Sequence, residues 1–471
     1  MSTSRGSSRR TQRQGDGPRA ARRAVGLVAA VAAGATAGLA FQASAAPPPT
    51  ASAARAPAQA QTQAQTTNWR SQQATLAEGR QTFRFDTFGD EAFWGDTLNL
   101  DAAIAGKANG GVGPGLSPKQ ALALGLKVDV LALPVGLRKD IANGKVNLND
   151  PKVTLALLRL NSVVGVKGFF SKTGQLRSVG IECALCHSTV DNSFSAGIGV
   201  RRDGWANRDL NVGRIIGLSA NLQPVARLLH TDVPTVHKVL NAWGPGKFDP
   251  QLFMDGKAFQ PNGRSAASVL PPAFGLLGVN LVTSTGWGSM TYWNAFVANL
   301  EMHGMGTFFD TRLDNRQQFP IAAENRFGHT RAPVDRITPK LPALQAYQLS
   351  LKAPTPPRGS FDTAAAARGK KLFSGKADCA RCHVPPIFTE PGWNLHTPKA
   401  IGIDRFQADR SPTHMYRTSP LRGLWTHKKS GFFHDGRFPT LKAVIQHYNS
   451  TFNLRLTPSQ QRDLEQYLLS L

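Results

Sequence analysis

The stretch Cys183-Ala184-Leu185-Cys186-His187 occurs a second time as Cys379-Ala380-Arg381-Cys382-His383. Both copies follow the pattern C-x-x-C-H, in which a histidine comes directly after the second of two closely spaced cysteines. On one helical turn the two thiols can each add to one vinyl group of haem, and the histidine then gives a nitrogen ligand to the iron. The sequence therefore predicts two covalently bound haem c groups. Their binding residues are Cys183, Cys186 and His187 in the first motif and Cys379, Cys382 and His383 in the second.

These motifs use all 4 cysteines of the chain. A single Cys₄ zinc site normally has its two cysteine pairs roughly 15–20 residues apart, and the pairs here are separated by far more than that. A thioredoxin-like dithiol has no need of a histidine after its second cysteine, yet a histidine follows both pairs. Haem attachment is therefore favoured over zinc binding and over a redox-active dithiol.

The first 45 residues are organised like a signal peptide. Residues 1–23 are rich in arginine, an apolar and alanine-rich run extends from Ala24 to Phe41, and Ala43-Ser44-Ala45 offers small residues for cleavage. The alternative is an uncleaved membrane anchor, although this run is short against the roughly 20 residues that a span needs. In both cases we predict that the haem domains are periplasmic or secreted.

The chain of 471 residues is long enough for two or three domains. Residues 46–74 contain few large apolar side chains and are predicted to be a disordered linker. A proline-rich hinge at 353–357 separates a predicted N-terminal haem domain, residues 75–353, from a C-terminal cytochrome c haem domain, residues 358–471. The predicted fold class is mainly α, with two cytochrome c-like haem domains and an extended, loop-rich N-terminal domain.

Local signals predict where several helices begin. Thr457, Pro458 and Gln460 form the capping-box pattern, with proline at the first helical position. Ser117 opens the same pattern in the N-terminal domain, and Asp362 is predicted to cap a helix that ends just before the second motif. These helices frame the two haem motifs.

The formal net charge of +25 favours acidic partners. A small redox protein, or a quinone-linked electron donor or acceptor, is the predicted macromolecular partner, with peroxide or O₂ as the small-molecule partner. A solvated basic surface without a dedicated partner explains the charge equally well. The basic residues are dispersed and no nucleic-acid motif occurs, so nucleic-acid binding is not predicted.

Two further stretches carry a family resemblance. The segment Tyr416–Arg422, Y-R-T-S-P-L-R, and the segment Phe433–Leu441, F-H-D-G-R-F-P-T-L, resemble the bacterial di-haem cytochrome c peroxidase superfamily, which includes the MauG-type enzymes. A more distant likeness to the di-haem rubber oxygenases rests on the long separation of the haem motifs. The resemblance implies that peroxide binds at the haem of the N-terminal domain and that the haem of the C-terminal domain stores or relays electrons.

The same resemblance points to three catalytic candidates. Glu301, in Asn299-Leu300-Glu301-Met302, is similar to the family's distal glutamate, which moves a proton between the peroxide oxygens. His303 is the competing residue, since it could ligate the iron instead. Trp287 takes the place of the family's tryptophan between the haems, although the flanking Asp and Arg of that motif are absent.

The resemblance also implies further ligands. The distal ligand of the second iron follows the H-D-G segment on the next helix, which gives Tyr448 as a MauG-like ligand and His447 as the alternative. Arg422 and His434 are expected to hold the haem propionates or the groups that orient the iron ligands, rather than to bind iron. The family's interdomain Ca²⁺ is held in part by two threonines, of which Thr418 matches and the second is replaced by Pro420.

Three functions therefore remain open from the sequence. The first is an exported di-haem c-type cytochrome oxidoreductase of the peroxidase kind, which activates peroxide at the N-terminal haem and transfers electrons through the C-terminal haem. The second is a di-haem electron-transfer cytochrome with two closed irons and no catalysis. The third is a dioxygenase similar to the rubber oxygenases.

Overall fold

The structure, a computed structural model, describes the backbone of residues 58–471 and the side chains from Arg70 onward. The predicted signal peptide and the segment 46–57 lie outside the described residues. Helices predominate in the described part, so the mainly α prediction is confirmed, whereas two separate cytochrome c-like domains stay a prediction. Within this part, no helix combines the length and the apolar character needed to cross a bilayer.

The helices are short apart from the first and are joined by long loops. In chain order they are α1 Ala58–Phe85, α2 Leu100–Ala105, α3 Pro118–Ala123, α4 Val135–Ala142, α5 Pro151–Arg159, α6 Ala184–His187, α7 Val212–Ile216, α8 Gln223–Leu228, α9 Val233–Trp243, α10 Leu252–Asp255, α11 Met290–Phe296, α12 Pro320–Glu324, α13 Leu341–Ser350, α14 Thr363–Ser374, α15 Phe406–Asp409, α16 Leu441–Thr451 and α17 Pro458–Leu469. Two π-helical turns lie at Ala92–Thr97 and Val297–Glu301.

The strands form small two-stranded sheets. In chain order they are β1 Val128–Asp129, β2 Val166–Phe170, β3 Leu176–Ile181, β4 Ser188–Val190, β5 Ile198–Gly199, β6 Arg201–Asp203, β7 Lys247–Phe248, β8 Ser268–Val269, β9 Thr307–Phe309 and β10 His329–Arg331. The pairing of β1 with β5 is parallel, and the pairs β2–β3, β4–β6, β7–β8 and β9–β10 are antiparallel. Strands β3 and β4 directly flank the first haem motif.

The start of α1 corrects one prediction. Residues 58–74 are helical, although the sequence predicted a disordered linker over 46–74. Alanine and glutamine have high helix propensities, and this stretch continues without interruption into the C-terminal part of α1, where Phe83 is fully buried. A polar segment of this kind forms a helix because tertiary packing at one end removes the cost of nucleation.

The predicted helix caps are present. The Ser117 and Thr457 side chains accept hydrogen bonds from the backbone amides of Gln120 and Gln460, and both capping boxes are complete. Asp362 caps α14 by accepting from the backbone amide of Ala365. Such caps satisfy amide donors that the helix itself leaves without partners, which is why they can be read locally from sequence.

Hydrophobic cores form around both motifs. The first and largest core extends from Trp94 to Leu270, and a second core surrounds Cys183. A third, rich in aromatic residues, contains Trp287 and the end of α11. A fourth core is formed by α14, α16 and α17 beside the second motif. Residues from Gln61 onward form a single compact unit, so the domain boundary at 353–358 stays a prediction.

Candidate haem sites

The first motif occupies α6 and the residue before it. Strand β3 leads into Cys183, and the single helical turn of α6 carries Cys186 and His187. Cys183 packs against the second core and Cys186 against the first core. Burial raises the pKa of each thiol to about 12, so both are neutral. The short turn thus brings two thiol sulfur atoms and one imidazole to one place.

The histidines of both motifs are oriented in the same way. His187 Nδ1 lies 3.1 Å from the carbonyl oxygen of Pro271, and His383 Nδ1 lies 3.1 Å from the carbonyl oxygen of Phe388. Because a carbonyl can only accept, each Nδ1 carries the proton and each Nε2 keeps its lone pair. A histidine that binds a metal through Nε2 has its tautomer fixed by such a bond. This geometry fits an axial ligand to haem iron at both motifs.

The residues of the first motif are half-buried. The side chains of Cys183, Cys186, His187 and Glu301 each keep part of their surface accessible.

Glu301 is brought to the first motif by the π-helical turn that follows α11. Burial raises the pKa of its carboxyl to about 8, and the nearby negative charge of Asp249 adds to this shift. Besides burial, the charge of Glu301 raises the pKa of the Cys186 thiol. The indole nitrogen of Trp94 donates to the Met302 carbonyl at 3.0 Å and fixes the end of this turn. Glu301 can therefore hold a proton at neutral pH, and its charge acts on the first motif.

His303 lies two residues beyond Glu301 in the same segment. Its backbone has φ 62° and its ring stacks on Phe93, with the centroids 3.6 Å apart. Burial lowers the pKa of its imidazole to about 4, so the ring is neutral. A neutral imidazole is a competent metal ligand, and His303 thus stays the competitor of Glu301.

Trp287 is buried at the centre of the third core. Its ring stacks on Trp293 with the centroids 5.2 Å apart, and the indole nitrogen has no hydrogen-bond partner among the residues that the structure describes. This core also contains Leu300, the neighbour of Glu301. On the other side, a Cβ atom on Gly286 would lie 3.2 Å from Cβ of Arg417. Trp287 thus connects the turn of Glu301 with the Y-R-T-S-P-L-R segment.

The two ligand candidates near the second motif differ in availability. His447 Nε2 lies 2.9 Å from the carbonyl oxygen of Ile401, so this nitrogen is already used. The Tyr448 hydroxyl has no hydrogen bond to any residue in the described part of the chain. Burial and the nearby Cys382 and Cys379 raise the pKa of that phenol. Of the two, Tyr448 has the free donor atom.

Comparison with known proteins finds relatives over part of the chain. No family model matches the chain. The methylamine utilization protein MauG of Methylorubrum extorquens is 27% identical over 225 residues, which cover 40% of this chain and 63% of MauG. The chain resembles the MauG-type di-haem superfamily. The match thus spans less than two thirds of MauG.

Two solved structures match parts of this chain, at lower sequence identity than MauG. A MauG-like protein associated with microbial copper homeostasis is 16% identical, with a TM-score of 0.30, over 47% of this chain and 81% of that protein. Hydrazine synthase of Kuenenia stuttgartiensis is 17% identical, with a TM-score of 0.24, over 50% of this chain and 92% of the matched chain.

The MauG-type segments contain a residue that the sequence did not single out. Arg422, which the family resemblance associates with a haem propionate, is exposed, and that role stays a prediction. Arg417 of the same segment is instead enclosed, and burial lowers the pKa of its guanidinium to about 10. The sequence signal was the pair of arginines in Y-R-T-S-P-L-R, but only the fold shows which one is inside.

Two other predicted residues are held by protein groups. His434 stacks on Tyr416 with the ring centroids 4.9 Å apart, and burial lowers its pKa to about 4. The Thr418 hydroxyl donates to Glu390, and the Thr418 carbonyl accepts from Thr389. The calcium ion implied by the family resemblance stays a prediction.

Proposed function

We propose that this chain is an exported di-haem c-type cytochrome oxidoreductase of the peroxidase kind. In this proposal, peroxide is reduced at the first haem site and electrons arrive by way of the second. The observation that carries the proposal is the enclosed Glu301 carboxyl beside the first motif, with its pKa raised to about 8. Similarity to MauG supports a haem oxidoreductase at the level of the superfamily. Export rests on residues 1–45, outside the described residues.

The first site assigns a separate task to each of its residues. Cys183 and Cys186 would hold the porphyrin, and His187 would bind the iron through Nε2. A haem at this position supplies the two-electron reduction of peroxide, in which H₂O₂, two electrons and two protons give two water molecules. Glu301 takes the proton from one peroxide oxygen and returns it to the other. A carboxyl whose pKa lies near neutral pH can do both, since it is populated in its charged and uncharged forms.

The electron path uses the aromatic residues between the two motifs. Trp287 shares a core with the turn of Glu301 and adjoins the Y-R-T-S-P-L-R segment, which supports a relay role. Tyr448 is the proposed sixth ligand of the second iron, because its hydroxyl is free and His447 is bound to a carbonyl. Phenolate ligation favours higher oxidation states of iron. A small acidic redox protein is the proposed donor, given the net charge of +25.

A second candidate is supported by His303. This neutral imidazole lies in the same segment as Glu301 and is enclosed. If His303 occupies the sixth position of the first iron, no open position is left for peroxide. The chain would then be an electron-transfer cytochrome with two closed irons.

The test compares Glu301→Gln with the parent after both haem contents have been measured by the pyridine haemochrome method. We expect peroxide turnover to fall by about a hundredfold or more, with the same haem content and resting spectra. Glu324→Gln is the matched control, because its side chain is 59% exposed and pairs only with His230 at the surface. Parent-like turnover in Glu301→Gln would remove this residue from the mechanism. An electron paramagnetic resonance spectrum with two low-spin irons would support the electron carrier instead.

A further inference from the structure

We propose that a cavity beside the first haem motif binds a phenolic carboxylate, an aromatic ring with a hydroxyl and a carboxylate, as a small electron donor. This inference rests on the proposed reduction of peroxide at the first haem and adds a small-molecule donor to the protein donor. The cavity has a volume of about 290 Å³ and is lined by residues of α1, the loop after it, β2 and the segment before α13. This volume lies near the lower end of the range for small-molecule sites, roughly 300–1,000 Å³, and suits a single ring.

The cavity can be reached from solvent. Two of its lining residues, Gln81 and Arg336, are exposed. The side chains of Lys340 and Asp86, which also line it, are 33% and 23% exposed. Lys340 Nζ lies 2.5 Å from the Asp86 carboxylate, so these two charges compensate each other. A dissolved molecule therefore has an open approach to the walls.

The other charges of the walls leave one cation unpaired. Arg336 Nη1 lies 4.0 Å from the Glu91 carboxylate. Lys167 Nζ donates to the Phe85 carbonyl at 3.2 Å and forms no ion pair with any residue in the described part of the chain. Burial raises the pKa of the Glu182 carboxyl to about 8 although the charge of Lys167 lowers it, so Glu182 is mostly uncharged at pH 7. A ligand carboxylate would thus meet an ammonium group that is available for a charge-assisted hydrogen bond.

Aromatic rings lie beside these cations. Lys167 Nζ is 5.7 Å from the centroid of the Phe169 ring, and Lys340 Nζ is 5.3 Å from the centroid of the Phe88 ring. A ligand ring can pack against a phenylalanine while its carboxylate reaches the neighbouring ammonium group. This combination favours an aromatic acid over an aliphatic acid or an uncharged ring.

The cavity adjoins the strand that leads to Cys183. Lys167 is paired with Gly180 between β2 and β3, and a Cβ atom on Gly180 would lie 2.6 Å from Cγ2 of the lining residue Thr87. Gly180 precedes Cys183 by three residues, about 10 Å of extended chain. Phe88 also belongs to the second core, against which Cys183 packs. A donor in the cavity is therefore close to the point where the first haem would be attached.

Oxidation of such a donor balances the proposed reaction. Each of two phenol groups gives up one electron and its hydroxyl proton and becomes a phenoxyl radical. One H₂O₂ takes up the two electrons and the two protons, its O–O bond breaks, and two water molecules form.

The binding test is equilibrium dialysis of the haem-loaded protein with 4-hydroxybenzoate in the absence of peroxide. Lys167→Met should raise the Kd by about tenfold or more, because it removes a hydrogen bond to a charged group. Lys172→Met is the matched control and should leave the Kd unchanged, since this lysine is exposed in the turn between β2 and β3. Phenol, which lacks the carboxylate, should bind the parent more weakly than 4-hydroxybenzoate by a similar factor.

The kinetic test follows the peroxide-dependent oxidation of 4-hydroxybenzoate. Lys167→Met should raise KM by the same factor and leave kcat unchanged, because the lost interaction serves binding alone. Equal Kd values in Lys167→Met and the parent would overturn the inference. If Lys167→Met fails to fold, Arg336→Gln decides, since its side chain is 49% exposed, and an unchanged Kd in that variant overturns the proposal.

A separate measurement distinguishes this inference from the proposed function. Haem-loaded protein is reduced beforehand and mixed with peroxide in the absence of any donor. Failure of peroxide to reoxidise it would contradict the proposed function, whatever the cavity binds. A parent that peroxide reoxidises, but that binds 4-hydroxybenzoate without oxidising it, would refute the donor site alone.

Discussion

The replacement Arg410→Met tests the strongest buried ion group in the described part of the chain. The Arg410 side chain is 1% exposed, and it lies 3.0 Å from Asp249 and 2.7 Å from Asp255, which are both 0% exposed. Arg410 follows α15, after the second motif, whereas Asp249 precedes α10 and Asp255 is its last residue, so both acids come before the second motif. Methionine preserves much of the volume and the apolar stem but removes the charge.

Loss of one partner from a buried ion group typically destabilises a protein by about 3–5 kcal/mol, because the remaining charges stay buried without compensation. Burial already raises the pKa of Asp249 to about 6 while Arg410 is present, and Arg410 opposes that rise. In the variant the pKa of Asp249 must rise further. A folded-state pKa above the unfolded value makes the folded state less stable as the pH increases through that interval. The loss in free energy of unfolding of Arg410→Met, relative to the parent, should therefore be larger at pH 7.5 than at pH 5.

Urea unfolding of the haem-loaded protein, followed by far-ultraviolet circular dichroism, measures this difference. Arg405→Met is the matched control, since its ion pair with Asp409 is at the surface and 78% of the Arg405 side chain is exposed. Surface pairs of this kind contribute about 0–1 kcal/mol. Equal stability of Arg410→Met and Arg405→Met, or a deficit that shrinks as the pH rises, would refute the reasoning.

Two further predictions address the C-terminal domain. Gly369→Ala should lower the free energy of unfolding by about 1–3 kcal/mol, because a Cβ atom there would lie 2.0 Å from the Asp463 carbonyl oxygen of α17. Chemical unfolding measures this loss, with Lys370→Ala at an exposed position as the control. Equal stability of the two variants would contradict the packing of α14 on α17. Tyr448→Phe should change the absorption spectrum and the potential of the second haem, because it removes the proposed ligand oxygen. His447→Gln should leave both unchanged. A change in His447→Gln together with an unchanged Tyr448→Phe would make His447 the ligand.

The features that could be predicted from the sequence are local ones. Both capping boxes depend on residues three positions apart, so Ser117 and Thr457 could be recognised without any knowledge of the fold. The haem motifs are equally local, and the structure orients His187 and His383 by the same kind of backbone bond. In such cases the chemistry is contained within one turn of chain.

The features that could not be predicted depend on partners far along the chain. Arg417 and Arg422 are five positions apart in one motif, and only the contact with the 283–288 loop shows which of them is enclosed. The helix at 58–74 follows from packing at the far end of α1, which the polar sequence of the segment does not reveal. The Arg410 group joins residues more than 150 positions apart, a pairing that no local pattern indicates.

The Arg410 group also links the segments that lie before and after the second motif. Its partner Asp249 is the acid whose charge raises the pKa of Glu301, so the protonation of the catalytic candidate depends on a cation from the segment after the second motif. A buried hydrogen bond of 2.8 Å between Gln407 and Gln251 reinforces the same contact. Ion groups and amides held this deeply change geometry only at high energetic cost. Glu301 and the segment that follows the second motif are therefore held in a fixed relation. If Glu301 transfers a proton as proposed, this lowers the reorganisation that each turnover requires.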